Sequence, residues 1–399
     1  MKILVSHFSL YKKNGWGRTF EEAKGLARLG HEVTLLCSAR GVGRIYKTRE
    51  VEGVRVLAFY DIIPERFLLY GYGIFSLFNK LIYSVFTHFD ICLSNSHRDN
   101  AYYPCAINRF FHHSKLVIEW WDDFSVKGNS VKSPNIIKRF LRQIITFIQP
   151  SDEKREIDTK LFSDVVVVLS LMMARRAEKV GVSADKIKIV YGGCDVDHLQ
   201  YMCQPANEIK QKNGIPVDCI TFGLIGDGDQ ELKDLDIFFD AMIELKTKYK
   251  ILFLNYGGAF KKAVIDKPEL RDIIHECGWV DYHGDNSILS ATDVFVLIKQ
   301  NNVKNQSGWP NKFGDYLACG RAVLLNPYGD IIQFIQKWQP GFIEVDYTKD
   351  SIKKGIASIC EGMVDLSQLA EKNREVALSN SWLQKAKELE NVFIASMVP

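Results

Sequence analysis

The sequence has no run of about 18 uncharged apolar residues, which excludes a simple hydrophobic membrane-spanning helix. The nearest approach, Phe67 to Phe89, is interrupted by Asn79 and Lys80 and contains two glycines. Metal-ligand spacing is lacking as well: nine cysteines are scattered without a CxxC pair, and nine histidines are dispersed. An odd, scattered set argues against a disulfide framework and reads as buried free thiols in a reducing compartment. The opening MKILVSHFSL has no apolar leader followed by a small-residue cleavage site, so a cytoplasmic chain whose first strand begins at residue 2 is expected. No repeat at a solenoid period and no nucleic-acid recognition motif is found.

What is present is the balance of a soluble globular protein, 47% apolar and 25% charged. Its 399 residues suit two domains at roughly 150 residues each. The net charge is only +3, but residues 1–195 carry 29 Lys and Arg against 20 Asp and Glu, while the remainder carries 22 against 28. That asymmetry points the N-terminal half towards something anionic, such as a phosphorylated ligand or an anionic membrane surface.

Short apolar runs alternate with helical periodicity along both halves. Lys2–Ser6, Glu32–Cys37, Val54–Phe59, Ile91–Ser94, Leu116–Glu119 and Val165–Leu169 read as strands, and Thr19–Leu29 as a helix stopped by Gly30. A linker is expected around Tyr191 to Asn207. A second series follows: strand Cys219–Ile225, helix from about Leu235 to Tyr249, strand Ile251–Asn255, helix near Pro268–Cys277, strand Val294–Ile298, helix Asn311–Cys319 and strand Ala322–Leu325. Fully apolar strands separated by helices imply parallel sheets covered on both faces. The expected class is α/β: two Rossmann-like, doubly wound domains facing across a cleft, with ligands outside the carboxyl ends of the strands. The expected boundaries are residues 1–195, 196–380 and a closing helix in 381–399.

Two segments carry candidate chemistry. After the first strand, the turn holding Asn14, Gly15, Trp16 and Gly17 opens a helix, where backbone N–H groups and the positive helix end can meet an anion. It lacks the third glycine of a dinucleotide fingerprint. In the second half, Ser307 to Leu324 (SGWPNKFGDYLACGRAVL) places Pro310 at a helix start, with the N–H groups of Gly308 and Trp309 beside it. Lys312 adds a cation, and Asp315 can accept from two neighbouring hydroxyls such as those of a ribose.

WPNKFGDYLACGRAVLL, with LARLGHEVTLL, IKIVYGGCDVDHL, FGLIGDGDQELKDLDIFFDAM and SATDVFVL, resembles the large family of retaining GT-B glycosyltransferases that includes bacterial mannosyl-, glucosyl- and N-acetylglucosaminyltransferases. The resemblance covers nearly the whole chain. It implies transfer of a hexose-type sugar from a nucleotide-diphosphate sugar to a glycan or lipid-linked acceptor, with retention and without a metal or other cofactor. By position it implies that Asp315 binds the donor ribose, that Gly308 and Trp309 hold the distal phosphate, and that Lys233 neutralises the leaving diphosphate. The loop Asn14–Gly17 would close against the donor phosphate and the acceptor, with Gly15 and Gly17 as its donor-binding residues. Asp122 or Asp123, in EWWDDF, is the candidate acid near the sugar, with a packed strand end as the alternative.

The chain departs from the family pattern where Asp227 stands in place of the diphosphate arginine, and Ser307 in place of a glutamate. A catalytically weak or silent sugar-nucleotide-binding protein and a nucleotide-sugar 2-epimerase are therefore the alternative readings. Finally, Arg66–Phe86 and Asn135–Ile148 combine aromatic and apolar residues with scattered cations. Either core packing or contact with an anionic membrane surface explains them.

Overall fold

The computed structural model describes residues 1–42, 45–121, 152–199 and 206–398, with no side-chain account of residue 152. The chain divides into two compact units. Met1–Tyr191, Ser307–Trp309 and Trp382–Pro399 form the first, and Gly192–Gln306 with Pro310–Ser381 the second.

Among the described residues the first unit contains eight strands: β1 (Lys2–Leu10), β2 (Glu32–Arg40), β3 (Tyr46–Val51), β4 (Val54–Asp61), β5 (Ile91–Ser94), β6 (Lys115–Trp120), β7 (Val165–Val168) and β8 (Ile187–Ile189). They are ordered β3-β4-β2-β1-β5-β6-β7-β8. Neighbours are parallel except β3 and β4, an antiparallel hairpin closed by Glu52 and Gly53 at φ 49° and 81°. Two successive positive φ values match the twist of the flanking strands. The alternation of β1 explains its central place: Ile3 and Val5 enter the core on one face and Leu4 on the other. The strand order turns back between β1 and β5, the place where open sheets of this kind leave a crevice at the carboxyl ends of the strands.

The helix Trp382–Met397 belongs to the first unit, where Ala386, Leu389 and Phe393 join the core beside Phe20, Ala23 and Leu26. It lies so close to the helix Trp16–Arg28 that a Cβ on Gly25 would fall 2.5 Å from that of Ala386.

The second unit holds β9 (Ile220–Asp227), β10 (Ile251–Gly258), β11 (Ile274–Glu276), β12 (Val294–Leu297), β13 (Ala322–Leu325) and β14 (Phe342–Glu344). All are parallel, in the order β11-β10-β9-β12-β13-β14. Here the order turns back between β9 and β12. Three local expectations change. The helix expected from Leu235 already starts at Gly228, because Asp229 and Glu231 place acids in its first turn. Instead of a helix, Pro268–Cys277 gives a 3₁₀ turn, Pro268–Asp272, and the edge strand β11, which finds hydrogen-bonding partners along β10. The edge strand β3 was not expected at all; its largely exposed residues carry no core-facing apolar run.

Candidate functional site

In the second unit the charged side chains gather at the carboxyl ends of β9 and β12. Residues 226 and 257, next to last in β9 and β10, are glycines for a steric reason. A Cβ on Gly257 would lie 1.8 Å from the carbonyl oxygen of Gly226. Next to Gly226, the ammonium of Lys312 stands 3.2 Å from where a Cβ on that glycine would sit. Lys312 comes from the first turn of the helix Asn311–Ala318, and its Nζ is 2.7 Å from Glu231 Oε1. Lys299, just past β12, approaches the same carboxylate at 2.5 Å and Asp234 at 3.0 Å. Two ammonium groups thus converge on one carboxylate at the crevice.

The electrostatics follow from that geometry. Burial pushes the Glu231 carboxyl up, but Lys312 and Lys299 outweigh it and hold the group below its usual range. Burial and the neighbouring Lys299 push Lys312 below the usual lysine range, against the pull of Glu231. Lys299 is also disfavoured by burial, yet Glu231 and Asp234 together raise it. The cluster is charge-balanced, so an incoming anion has to displace Glu231 before it can use both lysines.

Asp315 stands one turn after Lys312 and on the same side of the helix. It accepts a hydrogen bond from the Tyr282 hydroxyl at 3.1 Å. Burial, with the nearby Asp315 charge, pushes that phenol well up, so Tyr282 remains a neutral donor. Lys233 is exposed on the helix Gly228–Leu245, and its carbonyl accepts from Gln300. Asp227 occupies the cap position of the same helix and accepts from Gln230 at 3.1 Å. A carboxylate at a helix N-terminus satisfies the positive end of the dipole from within the chain, and so competes there with any phosphate.

In the first unit a pocket of about 530 Å³ opens at the carboxyl ends of β1, β5 and β6. Asn14, Gly15, His97, Arg98, Glu119 and Trp121 are among its walls. Gly15 has φ 74° and precedes the helix Trp16–Arg28; a Cβ there would meet the Trp121 ring at 2.4 Å. Gly17, in the first helical turn, has open space around it. The loop is fixed from below by His7. Its Nδ1 is 2.6 Å from the Asn95 amide, and its Nε2 is 3.1 Å from the Lys13 carbonyl, which assigns the proton to Nε2. Burial, reinforced by Lys80, lowers His7 to about 3, so the ring is neutral.

Beneath the pocket, Arg18 lies 2.7 Å from Glu22 and 3.0 Å from Glu119, all three fully enclosed. Burial raises the Glu22 carboxyl well above its usual range despite Arg18, with Glu119 adding to the rise. One arginine is thus shared between two buried carboxyls. Sequence inspection missed Arg18, Glu119 and Lys299, and also the His198–His283 ring pair at 4.0 Å in the second unit. Apart from the Arg18–Glu22 pair, which lies one helical turn apart, their partners lie far apart in the chain, beyond any local pattern.

The remaining sequence candidates fall elsewhere. Asp122 and Asp123 lie outside the described residues; Trp121, which precedes them, lines the pocket. Gly308 and Trp309 group with the first unit, where the Trp309 ring stacks on Tyr191 at 4.6 Å. The structure therefore brings Lys312 and Asp315 together with Lys299 and Glu231, but assigns Gly308 and Trp309 to the other unit.

Residues 18–198 match the family described as Glycosyltransferase Family 4. The chain is similar to the uncharacterized glycosyltransferase MJ1069 of Methanocaldococcus jannaschii, 20% identical over 234 residues, or 58% of each chain. The match thus spans less than two thirds of that relative. Its fold is similar to that of Anabaena HepE in complex with UDP and glucose, at TM-score 0.68 and 14% identity over 99% of both chains. It is also similar to sucrose-phosphate synthase from Thermosynechococcus elongatus, at TM-score 0.70 and 15% identity over 98% of both. The fold is GT-B.

Proposed function

We propose that this chain, a GT-B protein with a Glycosyltransferase Family 4 segment, transfers a glycosyl group from a nucleotide-diphosphate sugar to an acceptor. The observation that carries the reading is the convergence of Lys299 and Lys312 at the carboxyl ends of β9 and β12, with Asp315 one turn away. Departure of a nucleoside diphosphate develops negative charge on the bridging oxygen, and preorganised ammonium groups stabilise it most strongly where water is excluded. HepE, solved with UDP and with UDP-glucose, supports the same donor class here.

In this reading Lys299 and Lys312 take the diphosphate once Glu231 yields. Asp315 accepts from the ribose hydroxyls, with Tyr282 holding its orientation. Lys233 and the backbone N–H groups of Gly308, Trp309, Gly15 and Gly17 remain further candidates for the phosphates. The pocket of the first unit takes the acceptor, a glycan or a lipid-linked one, with Asp122 or Asp123 as the acid near the reacting sugar. A hexose, transfer with retention and independence of metal complete the proposal. Lysines in the cation role make a divalent ion dispensable.

A thermal-shift panel of UDP, GDP, ADP, dTDP and CMP, with and without Mg²⁺, tests the donor. A ligand at 100 times its dissociation constant adds about 2.7 kcal/mol of stability. One diphosphate alone should raise the melting temperature; no shift with any of them sinks the reading. The carboxylates of Asp227 and Glu231 at the phosphate position favour a second reading, a sugar-nucleotide binder without turnover. Release of free sugar or glycoside from the identified donor excludes it.

A further inference from the structure

The helix Ile74–Phe86 is packed with its polar strip inward. Ser76, Lys80 and Ser84, spaced at i, i+4 and i+8, are buried. Ser76 bonds to Ser38 and Asn100, and the Lys80 ammonium donates to the carbonyls of His7 and Asn100, both at 3.1 Å. The outward face carries Ile74, Phe75, Phe78, Ile82 and Phe86, with Phe78 61% and Phe86 83% exposed. This reverses the arrangement of a helix on a water-facing surface.

The apolar face continues beyond this helix. His112, at the end of the helix Asp99–His112, reaches the Val85 carbonyl at 2.9 Å, which ties the end of the helix carrying exposed Phe110 and Phe111 to the end of the helix carrying Phe86. Tyr72 lies at the other end, bonded through its hydroxyl to Arg98. Exposed apolar residues gathered on one helix face and on the helix end tied to it mark an interaction surface.

We propose that this face docks on an anionic lipid bilayer. Its charge selects that partner. Between Arg66 and Ile118 the only acids are Asp90 and Asp99. Asp99 is paired with Arg155, and Asp90 accepts from the Lys2 backbone N–H and lies 3.4 Å from His88. Arg66 lies over the ring of exposed Phe67, Arg98 over that of Tyr72, and His112 and His113 close the helix that carries Phe110 and Phe111. Phenylalanine and isoleucine enter the acyl boundary while tyrosines and cations remain among the headgroups. A second copy of this chain would bring the same cation-bearing, acid-poor face against itself, which like charges oppose. The proposal goes beyond the transfer reading and stands or falls on binding alone.

The test is sedimentation of the full chain with phosphatidylcholine vesicles and with vesicles containing phosphatidylglycerol. The chain should pellet with the anionic vesicles, more weakly at high salt, and remain in solution with the neutral ones. The double variant Phe78→Ser/Phe86→Ser should lose about tenfold or more of that partitioning while keeping the wild-type melting curve. Should it misfold, Phe75→Ser/Phe110→Ser removes the same contacts from other exposed positions. Full recovery of wild-type chain in the supernatant overturns the proposal. So does a folded variant that pellets like wild type, or a wild-type dimer made monomeric by the substitutions without lipid binding.

Discussion

At the residue scale, the competition within the Glu231 cluster governs the proposed donor site. Glu231→Gln leaves a hydrogen-bonding side chain but releases both lysines, so the dissociation constant of the nucleoside diphosphate should fall by about tenfold, as expected when one ion pair no longer has to be broken. Calorimetric titration checks this, and weaker binding would show that Glu231 orients the lysines instead. Lys312→Met should lower kcat/KM by roughly 10²-fold, the scale of one lost leaving-group stabiliser. Away from the phosphates, His7 makes the first unit acid-sensitive. Its folded value of about 3 lies below the ordinary 6.5, so between those limits the unfolded state binds the extra proton. Stability should therefore be lost as pH falls from 6.5 towards 3, and urea midpoints at pH 7 and pH 4 should converge in a folded His7→Gln variant relative to wild type.

At the element scale, the turn before the helix Trp16–Arg28 is constrained twice, by its positive φ at Gly15 and by the Trp121 ring. Gly15→Ala should destabilise the first unit by about 1–3 kcal/mol through backbone strain. It should also narrow the pocket, since the new methyl pushes Trp121 aside. Chemical denaturation measures the first effect and acceptor KM the second. That Gly15 begins a helix was legible from its position after an apolar strand. That its neighbour is Trp121 was not, because they are brought together by pairing of β1, β5 and β6.

For the whole molecule, the closing helix is the test of how the chain is assembled. Phe393 lies six residues from the end yet is fully buried in the core of the first unit. Phe393→Ala should cost about 3–5 kcal/mol there, as large core truncations do. A calorimetric trace should show the transition of the first unit displaced to lower temperature, while that of the second stays.

The sequence by itself determined what depends on local periodicity and on short ordered motifs. Apolar runs alternating with helical stretches required parallel sheets buried on both faces, and the segment from Ser307 to Leu324 placed Lys312 and Asp315 on one helix. Only the tertiary structure decided which charges meet. Lys299 reaches Glu231, and Arg18 reaches Glu119, across sheets whose order no local pattern encodes. The helix Ile74–Phe86 shows the limit most plainly. Ser76, Lys80 and Ser84 form a stripe that periodicity assigns to water, and their outward neighbours a stripe that it assigns to the core. The fold inverts both, because the carbonyls of His7 and Asn100 offer Lys80 hydrogen bonds inside the protein. Periodicity separates two faces of a helix, but which face is buried depends on the partners that the rest of the chain supplies.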